Sequence, residues 1–209
     1  MVKVADAAVQ NPELDERRGH LLLLSAAKTL AAVLFDNEIV YPDPSAFDSP
    51  LSLPGASFVT YEHKGSLVGC IGSIKRELPL VVDAARNALL AAFADPRTPG
   101  LTAVPLDGTS LKISVLSEAV GIEASSFDDV VAAVRPGVDG LIVEYKGRRA
   151  TLLPAVWEKI DSVEDFLDVL WKKAGLQPRY FDTGFVVSRY ETTEFCEPDL
   201  SRLIRRVAL

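Results

Sequence analysis

Ser57-Phe58-Val59-Thr60-Tyr61-Glu62-His63-Lys64-Gly65-Ser66-Leu67-Val68-Gly69-Cys70-Ile71-Gly72 is the stretch on which the fold turns. β-Branched and aromatic residues flank Lys64-Gly65, a pair suited to a tight turn, so the segment reads as a hairpin with Phe58 to Tyr61 in one strand and Leu67 to Ile71 in the other. A hairpin imposes antiparallel pairing. It also puts Cys70, one of only two cysteines, on a strand between glycines, whose missing side chains permit close backbone approach and leave the thiol accessible. With the turn centred on Lys64-Gly65, Cys70 is expected opposite Val59 and His63 opposite Ser66.

On the N-terminal side, Leu14, Leu21, Leu24, Leu30 and Leu34 recur at helical spacing over residues 14–36, and the proline-rich stretch from Tyr41 to Gly55 reads as an extended loop. On the C-terminal side, Leu78 to Ala94 is an amphipathic helix with Pro79 in its first turn, apolar at 78, 81, 85, 88 and 92, and with Asp83, Arg86 and Asn87 on the opposite side. It should stop near Asp95-Pro96. Ser110 to Ser117 alternates as a half-buried strand, and Leu141 to Tyr145 with Arg149 to Leu153 flank Lys146-Gly147-Arg148 as a second hairpin. Ser162 to Asp165 opens a helix with a capping pattern, Phe166, Leu167 and Leu170 supply its buried stripe, and Lys172, Lys173 and Gly175 close it. Phe181 to Phe195 should return to the sheet, and Asp199 should cap a final helix burying Leu200, Leu203, Ile204 and Val207. Without regular βαβ alternation, the order predicts an α+β fold, a mainly antiparallel sheet flanked by helices.

With 209 residues the chain can bury a substantial core without disulfides or metal. Two cysteines far apart, and residues 1–10 without the composition of a secretory signal, lead us to expect a reduced, cytoplasmic protein. The longest unbroken apolar run, Ala88 to Ala94, has 7 residues, so no membrane span is expected. The net charge of −7 disfavours DNA, while Arg148, Arg149, Arg202, Arg205 and Arg206 leave RNA open. Nucleotide-binding glycine loops, the serine-hydrolase elbow and paired metal-ligand spacings are absent, so neither cofactor nor metal is expected.

Leu67-Val68-Gly69-Cys70-Ile71-Gly72 closely resembles the Leu-Arg-Gly-Cys-Ile-Gly signature of the AMMECR-one domain family, also called protein A of the AmmeMemoRadiSam system. The likeness runs from about Leu14 to Glu197 through Asp95-Pro96-Arg97, Leu111 to Glu118, Arg135 to Leu141, Leu153 to Trp157 and Lys173 to Leu176, in the family's order. The resemblance implies a larger and a smaller lobe with a groove between them, the motif near that groove, and partners of Memo type and radical SAM type. It divides the chain into a flexible segment 1–12, the domain 13–198 and a helical tail 199–209. Val68 stands where the family usually has arginine, and Thr98 where it often has phenylalanine. If Val68 and Cys70 share a face, the missing guanidinium would have lain beside the thiol, unless Arg76, Arg86 or Arg97 reaches it through the fold.

Cys70 is the candidate nucleophile, and Gly69, Ile71, Gly72, Arg86, Arg97, Glu118 and Glu194 are candidate binding residues. An unperturbed thiol is only slightly ionised at neutral pH and needs a base or a cation. His63, four positions along the partner strand in the expected register, would lie roughly 13 Å from Cys70, too far to serve. Glu118, Glu191 and Glu194 are acids that Arg97 and Arg189 could face across a cleft. Two functions follow: a ligand- or partner-binding module of the three-protein system, or a cysteine-dependent enzyme that modifies RNA or a small molecule.

Overall fold

The computed structural model describes residues 14–208. The expected flexible segment 1–12 lies outside them. The chain folds as two compact units: the first holds the described residues up to Leu116 together with those from Thr193 onward, and the second, smaller one is Ser117–Thr192. Both are mixed helix and antiparallel sheet, the α+β class that the sequence predicts.

In the first unit, α1 (Glu16–Ala31) is capped by Asp15, whose carboxylate accepts the Arg18 amide. A π-helical turn, Ala32–Asp36, prolongs it. The buried stripe is Leu22, Leu23, Ala26, Ala27 and Leu30, while Leu21 and Leu24 are only half-buried. Glu16–Asp36 is, by length and composition only, long and apolar enough to cross a membrane. Counting unbroken runs does not register it, because Ser25, Lys28 and Thr29 interrupt the runs without lowering the average enough. Here the stripe forms the core with α2 (Leu80–Phe93), the use a core helix makes of the same composition.

A two-stranded pair, β1 (Pro54–Gly55) with β4 (Leu78–Pro79), precedes α2. Four strands form the main sheet in the order β10-β5-β2-β3: β2 (Ser57–His63), β3 (Ser66–Gly72), β5 (Thr109–Leu116) and β10 (Thr192–Glu197). Val59, Tyr61, Val68, Leu111, Ile113, Val115 and Phe195 turn one face of it into a core shared with α1, α2 and α5 (Leu200–Val207). Asp199 caps α5 as expected, and Leu200, Leu203 and Ile204 are buried.

Asp83 and Asn87 reverse the expected polar side of α2: both are buried. Asp83 accepts the Ser57 amide at 2.8 Å and the hydroxyls of Ser57 at 2.7 Å and Ser73 at 2.6 Å, and Asn87 donates to the Ser57 carbonyl at 3.0 Å. Burial pushes the Asp83 carboxyl up against those donors. The network fastens α2 to the start of β2 and to the residue after β3. A helical wheel separates apolar from polar positions; it does not foresee a polar side meeting a strand end that supplies donors.

The second unit holds β6 (Val120–Gly121), α3 (Phe127–Ala133), β7 (Gly140–Tyr145), β8 (Arg148–Leu152), α4 (Val163–Lys173) and β9 (Val186–Tyr190), with sheet order β6-β9-β7-β8. Phe166, Leu167, Leu170 and Trp171 of α4 pack on Leu141, Val143, Leu152 and Val187. Ser162 caps α4 through the Asp165 amide, and Gly175, at φ +69°, closes it. Phe181 to Phe195 does not return to one sheet: Glu191 separates β9 of this unit from β10 of the other.

Candidate functional site

Strand alternation puts Thr60, Lys112 and Cys70 on the face of the main sheet opposite the core. Register aligns them: Cys70 pairs with Thr60, and Thr60 pairs with Lys112. The next row is Gly72, Phe58 and Ser114. From β10, Glu194 joins both rows, accepting the Ser114 hydroxyl at 2.8 Å and facing the Lys112 ammonium at 3.7 Å. Cys196 lies within electrostatic reach of Lys112, Glu62 and Glu194, and burial pushes its thiol up. One sheet face thus carries both thiols, a lysine, carboxylates and hydroxyls.

The observed register differs from the expected one by a residue. His63 does pair with Ser66, but a bulge between Tyr61 and Glu62 leaves Val68 without a partner of its own, so Cys70 faces Thr60 and not Val59. The Thr60 hydroxyl donates to Cys70 Sγ at 3.2 Å. The bulge also undoes the same-face expectation, since Val68 is buried in the core while Cys70 is half-buried on the other side. An arginine at 68 in this backbone would not stand beside the sulfur.

β3 is an edge strand, and the backbone of Cys70 points away from β2. Asp95 accepts the Cys70 amide at 2.9 Å, and Arg97 donates to the Cys70 carbonyl at 2.8 Å. Arg97 in turn grips Asp95 through its Nε at 2.9 Å and a terminal nitrogen at 2.8 Å. Asp95-Pro96-Arg97 therefore completes the edge at one residue, as a neighbouring strand would. Arg97 holds the Asp95 carboxyl well below the usual carboxylate range, outweighing desolvation. Asp95 and, after it, Cys70 raise Arg97, whose guanidinium is within reach of the Cys70 side chain. The cation beside Cys70 is Arg97, not a side chain at position 68.

Both motif glycines are occupied by neighbours. A Cβ on Gly69 would lie 1.9 Å from the Ala91 carbonyl oxygen of α2, and one on Gly72 would lie 2.2 Å from the Phe58 ring. Ile71 packs against the core.

The other candidates go elsewhere. Arg86 is exposed on α2 and interacts with Asp83. Arg76 donates to the carbonyls of Pro54 and Leu116. Glu118 is exposed in the second unit, where Glu191 pairs with Arg135 at 2.8 Å and Arg189 donates to the Ala133 carbonyl. The expected facing of Glu118, Glu191 and Glu194 by Arg97 and Arg189 is replaced by these pairs, each made within its own unit. Neither histidine serves Cys70: His63 Nδ1 bonds Thr109 Oγ1 at 3.0 Å, and His20 Nε2 accepts from Arg206 at 3.0 Å. Among the described residues, no group of three His, Cys, Asp or Glu could hold a metal ion.

Sequence reasoning missed Thr60 and Asp95 as partners of Cys70, and Lys112 and Cys196 as residues of the same sheet face. Thr60 and Lys112 were within reach of alternation plus register; Asp95 and Cys196 required the tertiary fold.

The family model AMMECR1 matches residues 23–195. A protein of Methanothermobacter thermautotrophicus is 38% identical over 67% of this chain and 74% of its own length. One of Thermofilum pendens is 33% identical over 88% of this chain and 92% of its own. The crystal structure of the uncharacterised protein PH0010 from Pyrococcus horikoshii superposes with a TM-score of 0.80 at 27% identity, covering 90% of this chain and 96% of that one.

Proposed function

The chain belongs to the AMMECR1 family, and on that premise we propose that it is a cytoplasmic ligand- or partner-binding module that works with a Memo-type protein and a radical SAM protein. The observation that supports this reading is the row Cys70, Thr60, Lys112 and Glu194, side chains of both charge signs and a thiol on one sheet face whose reverse is apolar core. Such a face offers hydrogen bonds and charge without a base placed against the sulfur. The test is retention of purified Memo-type and radical SAM proteins on the immobilised chain under reducing, anaerobic conditions. Retention that Lys112→Ala and Glu194→Gln weaken supports the reading; failure of both partners to be retained, or retention indifferent to these variants, overturns it.

A second reading, a cysteine-dependent enzyme that modifies RNA or a small molecule, draws on the Thr60 hydroxyl and the Arg97 guanidinium beside Cys70. Both are polar donor groups set close to the sulfur. The arginines that favoured RNA are largely engaged: Arg149 with Glu144, Arg202 with Asp199, Arg148 with the Gly175 carbonyl and Arg206 with His20. A small molecule is therefore the better substrate. Alkylation of Cys70 no faster than a free thiol at pH 7 would remove the activated-nucleophile reading.

A further inference from the structure

We infer that the strip from Phe35 to Tyr41, at the end of α1, is a docking surface for a partner protein whose apolar face is rimmed by lysine and arginine. The inference is independent of the Cys70 face. Phe35 is 62% exposed, Ile39 65%, Val40 50% and Tyr41 44%, a cluster of large apolar side chains within seven residues. Single exposed apolar residues are ordinary, whereas contiguous ones mark interaction sites.

The strip is built, not merely frayed. Val33 and Leu34, just before it, pack against the core, and so does Phe47 beyond it. The buried Thr29 hydroxyl donates to the Val40 carbonyl at 2.8 Å, and the Glu38 amide donates to Ala32 at 3.2 Å. The π-helical turn Ala32–Asp36 places this change from inward to outward side chains. A fixed backbone presenting Phe and Tyr supplies large contact area at small entropic cost.

Charge selects the partner. Residues 35–53 contain Asp36, Glu38, Asp43 and Asp48 and no lysine or arginine. Asp48 has one cation near it, Arg17 at 4.0 Å. A second copy would bring the same acids against themselves. Anionic lipid and nucleic acid would be repelled. A surface with an apolar centre and a basic rim matches both features.

The probe is a labelled 18-residue amphipathic helix of leucine and lysine, with a leucine–glutamate helix of the same pattern as control, titrated with the full chain and followed by anisotropy. The leucine–lysine helix should bind saturably and the control should not. Ile39→Asp and Tyr41→Asp should each weaken binding at least tenfold with Tm unchanged, and Asp36→Asn with Glu38→Gln should weaken it severalfold and flatten its salt dependence. Val120→Asp, at an exposed apolar residue outside the strip, should change nothing. Absence of binding, or binding indifferent to Ile39→Asp, which would be bulk attraction to an acidic chain, overturns the inference. So does a homodimer in sedimentation that Ile39→Asp dissociates, since the strip would then be a self-interface.

Discussion

Each unit contains a loop in which an arginine, a proline and a buried aspartate lock together, and the two loops differ in where their remaining hydrogen bonds go. In the second unit Arg135 reaches Asp139 through its backbone amide at 2.9 Å, its Nε at 3.0 Å and a terminal nitrogen at 2.5 Å, and also pairs with Glu191. Trp157 donates to the Asp139 carbonyl. All of these contacts close the loop on its own unit's scaffold. In the first unit Asp95 and Arg97 make an equally tight pair but spend one bond each on the backbone of Cys70. The same device is a brace in one place and a mount for a thiol in the other.

The largest effect should come from the glycines beside the two loops. Gly69 abuts a backbone carbonyl of α2, whereas Gly140, directly after Asp139, abuts the side chains of Tyr190 and Pro154. A helix backbone can yield only by shifting the whole helix, so Gly69→Ala should cost about 3 kcal/mol or more, above the usual range for added bulk. Gly140→Ala, meeting side chains, should cost about 1–2 kcal/mol. Urea unfolding of both variants checks the order; equal losses would mean that α2 slides freely over β3.

Next come the aspartates. Both side chains are fully buried while their arginines are exposed to solvent, so the stabilisation is discounted for solvent and each Asp→Asn should cost about 2 kcal/mol. The sign for Asp95 follows from its lowered carboxyl. Its contribution is fully present above the unfolded value of about 3.9 and is lost as pH falls below it. Asp95→Asn should therefore flatten the loss of stability on acidification below about pH 4. A variant whose acid slope matches wild type would show that Arg97 does not hold the carboxylate.

Much of this was legible before the structure. Turn chemistry at Lys64-Gly65 and Lys146-Gly147 fixes both hairpins, and Ser162 and Asp199 mark two helix starts, because these are local preferences written in a few adjacent residues. The site was half legible. Cys70 was located, but its neighbours depend on a bulge at Val68 that shifts register by one residue, and alternation alone cannot signal an extra residue. α3, only 7 residues with acids in its first turn, gave too short a periodic stretch to be noticed. The burial of Asp83 and Asn87 depends on Ser57 and Ser73, distant partners that no helical pattern names.

The arginines separate mount from brace most directly. Arg97→Gln should slow alkylation of Cys70 by iodoacetamide severalfold, because charge developing on the sulfur loses its cation; Arg135→Gln should leave it unchanged. Peptide mass spectrometry reads the two thiols separately, and Cys196, whose thiol burial pushes up, serves as the slow internal reference. Faster alkylation in Arg97→Gln would mean that the pair shields the thiol, and equal effects of the two arginines would end the distinction.

The smallest effect concerns two threonines on the sheets. Thr151 in the second unit donates to the Leu141 carbonyl at 2.8 Å and meets the Tyr190 hydroxyl at 2.7 Å, so valine there removes hydrogen bonds between oxygens in a buried position and should cost about 1–2 kcal/mol. Thr60 gives its hydroxyl to a sulfur, a weak acceptor, and Thr60→Val should cost only about 0.5 kcal/mol. Its consequence should appear in the thiol: Cys70 should alkylate about twofold more slowly, while Thr151→Val leaves that rate alone. If Thr60→Val destabilises as much as Thr151→Val and does not move the rate, the hydroxyl is packing, and Arg97 alone distinguishes this sheet face from the other.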